Sequence, residues 1–254
     1  MTKVFDAYAG YYDLLYQDKN YLTEAEHVAS LIRTHIPACS RILELGCGTG
    51  EHALHLANMG YQIHGIDSSK AMVSRAQSKV PSNLVDKIAF EQGDLRDFRS
   101  LAAFDAVISL FHVASYQTAN ADISKMFATA ARHLGRGGVF IFDFWYGPAV
   151  LHQKPEVRIK RYDNDTCQVL RVAEPNLHTD EDVVEVDYTV LVSDPRTSAT
   201  TRIVEKHRMR YFFLPELAAF LESSDLTIGS AVEWITGRSL GLDIWNALIV
   251  AVKR

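Results

Sequence analysis

The stretch Arg41-Ile42-Leu43-Glu44-Leu45-Gly46-Cys47-Gly48-Thr49-Gly50 decides how this chain is read. Ile42 to Leu45 is an apolar run of strand length, and it leads into glycines at alternate positions and then a helix-like stretch, Glu51 to Asn58. Glycine lets the backbone turn sharply and approach a ligand that a Cβ would repel. The spacing is GxGxG; the third glycine of GxGxxG would fall at Glu51. A dinucleotide loop seats a pyrophosphate on the helix N-terminus, where a carboxylate is a poor neighbour. Spacing and charge together point to a nucleoside cofactor that lacks phosphate.

Two acids follow at regular distance. His64-Gly65-Ile66-Asp67 closes a second apolar segment and puts a carboxylate about 20 residues past the first glycine, where it can accept both ribose hydroxyls. Phe90-Glu91-Gln92-Gly93-Asp94-Leu95 closes a third with a carboxylate suited to an adenine amino group. Cys47 lies inside the loop, but no histidine–acid pair follows it as a nucleophile would need, so a small side chain under the cofactor is expected there.

The surrounding sequence alternates strand and helix. Strands are predicted at 41–45, 61–66, 87–92, 104–110 and 138–144, with helices at 51–59, 69–79 and 120–134 between them. Two helices, 3–17 and 20–36, precede the first strand. In the second of these, Ala25, Val28, Ala29, Ile32 and Ile36 recur at spacings of three and four. Asp-Ser-Ser at 67–69 is expected to cap one helix and Arg-Gly-Gly at 136–138 to stop another. Such alternation implies a doubly wound, mostly parallel Rossmann-like α/β sheet with ligands at the carboxyl ends of its strands.

After residue 150 the pattern becomes β-rich. In Val184-Glu185-Val186-Asp187-Tyr188-Thr189-Val190 one face is apolar and the other polar, as in an antiparallel meander with one covered face. Residues 155–213 therefore read as an antiparallel β insert covering the acceptor site after strand five. Residues 1–154 and 214–254 form the cofactor-binding domain, closed by a helix at 215–224 and strands at 226–234 and 243–252. Nine Lys/Arg against eleven Asp/Glu give the insert a charge of −2. Lys206, Arg208 and Arg210 alternate and should share a strand face; with Arg158 and Lys160 they are candidates to grip a diphosphate.

The chain's 254 residues carry a formal net charge of −5, which argues against a nucleic-acid partner. Cys39, Cys47 and Cys167 form neither a disulfide framework nor a paired CxxC, so no metal site is expected. The N-terminus lacks a signal pattern and no apolar run approaches the ~18 residues of a membrane span, so a cytoplasmic protein with no membrane partner is expected, as a monomer or homodimer.

The glycine loop, Asp67 and Asp94, in that order, resemble the class I S-adenosylmethionine-dependent methyltransferases, and with seven sheet strands. The resemblance implies S-adenosyl-L-methionine as cofactor and S-adenosyl-L-homocysteine as product. Carried over by motif, the loop (Glu44, Gly46, Cys47, Gly48) cradles the methionine part and adenosine. Asp67 with Ser68 and Met72 holds the ribose, and Asp94 with Gly93 and Leu95 reads adenine. Leu110 closes the cofactor site at the end of the fourth strand.

The acceptor side follows from the same resemblance. Leu110-Phe111-His112-Val113-Ala114-Ser115-Tyr116 stands where that family keeps acceptor residues. His112 is the first candidate base, because an imidazole is largely neutral at pH 7, and Tyr116 is the second. Tyr8, Tyr11, Tyr12, Tyr16 and Tyr21 crowd the N-terminal segment, and aromatic faces stabilise a sulfonium. Tyr12 and Tyr21 are expected at the cofactor, and Tyr8, Trp145 and Tyr146 at the acceptor, with Asp143 either lining the pocket or serving as a structural cap. Tyr-Tyr-Asp-Leu-Leu-Tyr at 11–16, Tyr-x-x-Glu-Ala at 21–25, the segment at 111–116 and the β insert look like the nucleotide-linked amino-sugar N-methyltransferases. Methyl transfer to an amine or hydroxyl of a small polar acceptor, best a sugar nucleotide, is the expected function. The alternatives are another small metabolite such as an amine or phenol, a non-catalytic cofactor-binding protein, or a nucleic-acid or protein methyltransferase. An NAD-dependent oxidoreductase is disfavoured by GxGxG and Glu51.

Overall fold

The computed structural model describes residues 15–163, 167–197 and 199–254. Tyr8, Tyr11 and Tyr12, and most of the helix expected at 3–17, lie outside the described residues. Helix α1 (Tyr21–His35) leads into β1 (Arg41–Leu45), α2 (Glu51–Asn58), β2 (Gln62–Asp67), α3 (Lys70–Lys79), β3 (Ile88–Gln92), β4 (Phe104–Ser109), α4 (Asn120–His133) and β5 (Leu134–Tyr146). Strands β1 to β5 pair in parallel in the order β3-β2-β1-β4-β5. Near the C-terminus, α6 (Leu214–Glu222), β10 (Leu226–Glu233) and β11 (Asn246–Lys253) follow, and β11 lies antiparallel between β5 and β10. The result is a seven-stranded doubly wound sheet.

Burial shows why the central strands read as unbroken apolar runs. Along β4 and β5, alternate residues feed two separate cores: Ala106, Ile108, Val139 and Ile141 pack on one face, Val107, Phe140 and Phe142 on the other. Both faces are covered, as parallel strands require. The second core stacks Phe127, Phe140, Phe142, Phe144 and Phe212, each fully buried and each stabilising the fold by about 1.5–3 kcal/mol.

One expected boundary differs. The fourth core helix stops at His133, before Arg136-Gly137-Gly138, and β5 already begins at Leu134. The imidazole of His133 accepts from Ser100 N at 3.0 Å and contacts Thr129 O at 2.8 Å, which closes the helix without the glycines. The glycines instead make a bulge in β5, between the pairs Phe104↔Leu134 and Ala106↔Val139, with Gly137 at φ 80°.

Between β5 and α6 run α5 (Gly147–Gln153) and four antiparallel strands, β6 (Arg158–Asp163), β7 (Gln168–His178), β8 (Val183–Ser193) and β9 (Thr200–Phe212), paired in sequence order. This meander is fastened to the main sheet at one point. Pairing of β4 with β5 ends at Ser109↔Phe142, and β9 then pairs in parallel with β5 at Trp145↔Tyr211 and Tyr146↔Phe212. Because β11 holds the other edge of β5 at Trp145↔Asn246, β9 takes the edge that β4 vacates. The meander therefore stands at the carboxyl end of the sheet, beside the segment that follows β4.

Candidate active site

The glycine loop leaves β1 with Gly46, Gly48 and Gly50 at φ of 78°, 53° and 80°, backbone that side chains rarely adopt. Two of the three are also packed shut. A Cβ at Gly46 would stand 2.7 Å from a Val113 methyl, and one at Gly50 2.6 Å from the Phe90 ring. Around Gly48 nothing lies within 4 Å of such a Cβ, so there the loop borders open space. Gly46 N and Cys47 N donate to Ile66 O, and Gly48 N donates to Asp67 Oδ2 at 3.0 Å, which ties the loop to the end of β2.

Glu51 opens α2, but its carboxylate is paired with Lys79 Nζ of α3 at 2.6 Å. Its charge is thus offset, and the case against a phosphate rests on the glycine spacing rather than on Glu51. Asp67 accepts from Gly48 N with one oxygen and from Ser69 N with the other, and burial pushes its carboxyl up. Ser69 caps α3 by accepting from Met72 N, with Met72 buried behind it, while Ser68 is exposed.

Glu44, at the end of β1, is fully buried and its Oε2 has no hydrogen-bond partner among the described residues. Burial, with the neighbouring charge of Asp67, pushes its carboxyl up to about 8. A buried carboxyl left without a partner beside an open loop suits an incoming ammonium, and an ammonium is what the methionine part of the expected cofactor carries. Glu44 Oε1 lies 3.9 Å from His52 Nδ1, and His52 Nε2 lies 2.7 Å from Glu24 Oε2. Burial alone would raise Glu24, yet His52 and Lys19, both paired with it, bring it down to about 2. Tyr21 packs edge-on against His52 at 5.1 Å, and the Lys19 ammonium lies over both Tyr21 and Phe111. In this structure the cation on these rings is Lys19. Lys19, on the bend before α1, and His52, on α2, escaped the sequence reading because neither falls in a motif, whereas Glu24 stood in the Tyr-x-x-Glu-Ala stretch with no role assigned to it.

Cys47 is buried, and its thiol is pushed well above the usual range by burial and by the Glu44 and Asp67 carboxyls. Both effects disfavour the thiolate that a nucleophile needs. Gly93 N donates to Asp67 O, and Leu95 and Leu110 pack into the cores beside the loop. Asp94 differs from expectation in one respect: Arg96 grips it as a fork, Nε to Oδ1 at 2.9 Å and a terminal nitrogen to Oδ2 at 2.5 Å, while also reaching Asp122. That grip holds the Asp94 carboxyl below the usual range. Any adenine amino group would have to use the lone pairs that Arg96 leaves.

Past β4 the chain makes an unusual turn. Phe111 and His112 have φ of 66° and 63°, the left-handed region, where a bulky residue costs ~1–3 kcal/mol. Asp143 of β5 holds the turn by accepting His112 N–H with both oxygens, and His112 Nδ1 lies 2.7 Å from Asp143 Oδ2, off the axis of a hydrogen bond. Of the two roles open to Asp143, the structure supports the anchor.

The turn faces a cluster of aromatic side chains. Tyr16 meets Phe111 edge-on at 5.0 Å and His112 lies 6.1 Å from Trp145, which meets Trp245 at 5.7 Å. Trp145 N donates to Ser115 Oγ, and Tyr146, half-buried, donates its N–H to Trp245 O. From the meander, Tyr188 meets His207 at 4.8 Å, and buried Arg171 donates to Tyr16 Oη and lies over the Tyr188 ring. Tyr116 Oη lies 2.7 Å from His207 Nδ1. Arg171, Tyr188, His207 and Trp245 were missed; the β-strand alternation that places Tyr188 and His207 inward was the available signal.

The basic edge is not brought together. Lys206 and Arg208 stand on the outer face of β9, exposed, each paired with acids of β8 or the turn before it: Glu185 and Asp187 for Lys206, Glu181 and Glu185 for Arg208. Arg210 is buried, bound to Asn120 at 2.6 Å and to Glu216 at 2.7 Å. Arg158 and Lys160 lie on β6, three strands from β9. Among the described residues no group of His, Cys, Asp or Glu could hold a metal ion, and no helix is long and apolar enough to cross a membrane.

Residues 42–138 match a family model described as a methyltransferase domain. The chain is 29% identical to a dTDP-3-amino-3,4,6-trideoxy-alpha-D-glucopyranose N,N-dimethyltransferase of Streptomyces venezuelae, covering 92% of this chain and 94% of that one. Among solved structures, Streptomyces venezuelae DesVI superposes with a TM-score of 0.82 at 26% identity, covering 97% and 98% of the two chains. The S-adenosylmethionine-bound amino pentose methyltransferase CalS10 of Micromonospora echinaspora superposes at 0.78 and 25% identity, covering 98% of each.

Proposed function

Because this chain is an S-adenosylmethionine-dependent methyltransferase, we propose that it methylates the amino group of a nucleotide-linked amino sugar. The observation that carries the reading is the placement of the meander. Fastened to β5 at Trp145 and Tyr146, it sets Tyr188, His207 and Arg171 opposite the Phe111–Tyr116 turn, which makes an aromatic cluster at the carboxyl end of the sheet. The full-length likeness to a sugar-nucleotide N,N-dimethyltransferase, meander included, supports the acceptor class.

S-adenosylmethionine supplies an electrophilic methyl group on a sulfonium. The protein's part is to bind, orient and keep water away. Glu44 takes the ammonium of the methionine part, the open side of Gly48 admits the backbone of the ligand, Asp67 accepts from the ribose, and Asp94 meets adenine. His112 and Tyr116 border the acceptor nitrogen, which must be free of its extra proton to present a lone pair when the methyl group is transferred. Holding the nitrogen in line with the methyl group can contribute ~7–11 kcal/mol to lowering the barrier. The same reading has the protein work in the cytoplasm as a monomer or homodimer, with a small-molecule acceptor and no nucleic acid, in keeping with its net charge of −5.

The test is a competition among acceptors. Methyl-labelled S-adenosylmethionine is incubated with the protein and a panel of dTDP-amino sugars, simple amines and phenols. Label is expected on the nitrogen of an amino-sugar nucleotide; label confined to phenols or to free amines overturns the acceptor class.

A further inference from the structure

Tyr116 is wired to the meander. Its Oη lies 2.7 Å from His207 Nδ1, and the other ring nitrogen of His207, Nε2, lies 3.0 Å from Glu205 Oε2. Tyr116 comes from the short turn Ala114–Tyr116 after β4, whereas His207 and Glu205 come from β9, some ninety positions later in the chain. His207 is buried, and the Glu205 side chain is 8% exposed. We propose that Tyr116, His207 and Glu205 form a proton relay that strips the acceptor amine of its extra proton before methyl transfer. This rests on the amine reading above.

The order of the three groups fixes the direction of the relay. A hydroxyl, an imidazole and a carboxylate in line, each within about 2.6–3.2 Å of the next, is the arrangement that activates a nucleophile in hydrolytic triads. In the relay the Glu205 carboxylate, which can only accept, takes Nε2–H, and that tautomer leaves Nδ1 as the acceptor of the Tyr116 hydroxyl. When an acceptor ammonium meets Tyr116, one of its N–H bonds breaks and a new O–H bond forms at Oη. The former Tyr116 O–H bond breaks as an Nδ1–H bond forms, and the positive charge moves to the imidazole, next to Glu205. The amine, now neutral, forms its bond to the methyl carbon as the carbon–sulfur bond breaks, and the imidazolium later yields its proton to solvent. Atoms and charge balance with no further reagent. In this scheme His207 and Glu205 are positioning residues acting through Tyr116.

Among the described residues, Tyr188 also faces His207, with Arg171 over the Tyr188 ring. Tyr188 of β8 stacks edge-on against the imidazole, but burial pushes that phenol up to about 12, so Tyr188 keeps its proton. Arg171 of β7 lies behind Tyr188, over its ring, and bonds to Tyr16. His112 is held in a different way, its backbone and Nδ1 both turned to Asp143, which suits it to shaping the turn.

Two measurements decide the matter. The nitrogen spectrum of 15N-histidine-labelled enzyme, without any acceptor, is expected to show His207 as the Nε2–H tautomer, with its Nδ1 signal moved in Tyr116→Phe. A His207 found as the Nδ1–H tautomer overturns the relay. With the dTDP-amino sugar that the wild type methylates, kcat should rise with pH along one acidic limb. His207→Gln should lower kcat by about 100-fold or more and abolish that limb, and Glu205→Gln should displace it, with the donor KM unchanged. An unaltered limb in His207→Gln overturns the proposal. If the wild type methylates no amine, the amine reading falls, and the tautomer measurement still decides whether the three residues are wired as described. Tyr116→Phe removes one oxygen only and guards against a failure of His207→Gln to fold.

Discussion

Asp143 accepts the backbone N–H of His112 with both carboxylate oxygens, at 3.1 and 3.0 Å, from a position with no exposed surface. The bond holds two consecutive left-handed residues, Phe111 and His112, at the point where β4 yields its edge of β5 to β9. Removing the acceptor leaves a buried N–H without a partner and a strained turn without an anchor.

Asp143→Ala is therefore expected to cost about 1.5–3 kcal/mol in urea unfolding, the range for a hydrogen bond to a charged group. Its kcat should fall while the donor's Kd barely moves, because the turn borders the acceptor side. A variant with normal kcat would show that the turn keeps its shape without Asp143.

The glycines of the loop should separate by role. Gly48→Ala meets no neighbour within 4 Å, so only its φ of 53° opposes the change, by roughly 1–2 kcal/mol. Its main effect should be on cofactor affinity, measured by calorimetry. Gly50→Ala adds a Cβ 2.6 Å from the Phe90 ring and should cost a further ~1–3 kcal/mol of stability. Equal melting temperatures for the two variants would contradict this division.

The loop, Glu44 and Asp67 at the ends of β1 and β2, and Asp94 just past β3 were legible in the sequence because each is a local motif: glycines where φ must be positive, and an acid where a strand ends. Periodicity likewise gave the seven-stranded sheet and the meander. What escaped depends on long-range placement. His207 reaches Tyr116 only because β9 takes the vacated edge of β5, and Arg96 reaches Asp94 from two residues away in a loop with no pattern. The alternation of Lys206, Arg208 and Arg210 suggested one basic face. Yet Arg210, two residues before the end of β9, is drawn into the packing of α6, where Glu216 holds it and also accepts from Phe213 N.

That difference is measurable. Arg210→Ala strands Glu216 and empties a buried site, so it should cost about 3 kcal/mol, the low end for a broken buried pair because Glu216 stays partly exposed. Arg208→Ala, on the outer face, should cost no more than ~1 kcal/mol and leave the acceptor KM unchanged. A large rise in KM for Arg208→Ala would return the outer face of β9 to the acceptor site.

Glu44 and Glu24 give the protein opposite responses to pH. The Glu44 carboxyl stands at about 8 in the fold and near 4.5 in the unfolded chain, so its contribution to stability is complete below pH ~4.5 and is lost as pH rises toward 8. Glu24 stands at about 2, so its contribution is present above pH ~4.5 and is lost as pH falls toward 2. Glu44→Gln should therefore flatten the loss of stability between pH ~4.5 and 8, and Glu24→Gln the loss between pH ~4.5 and 2. Donor binding adds a second readout. An ammonium meeting Glu44 favours the carboxylate, so at pH 7 the wild type should release close to one proton on binding, seen as a dependence of the calorimetric heat on the buffer's ionisation enthalpy. Glu44→Gln should bind more weakly and release none. Proton release that survives in Glu44→Gln would move the linkage to another group and leave the buried carboxyl of β1 without the ligand assigned to it.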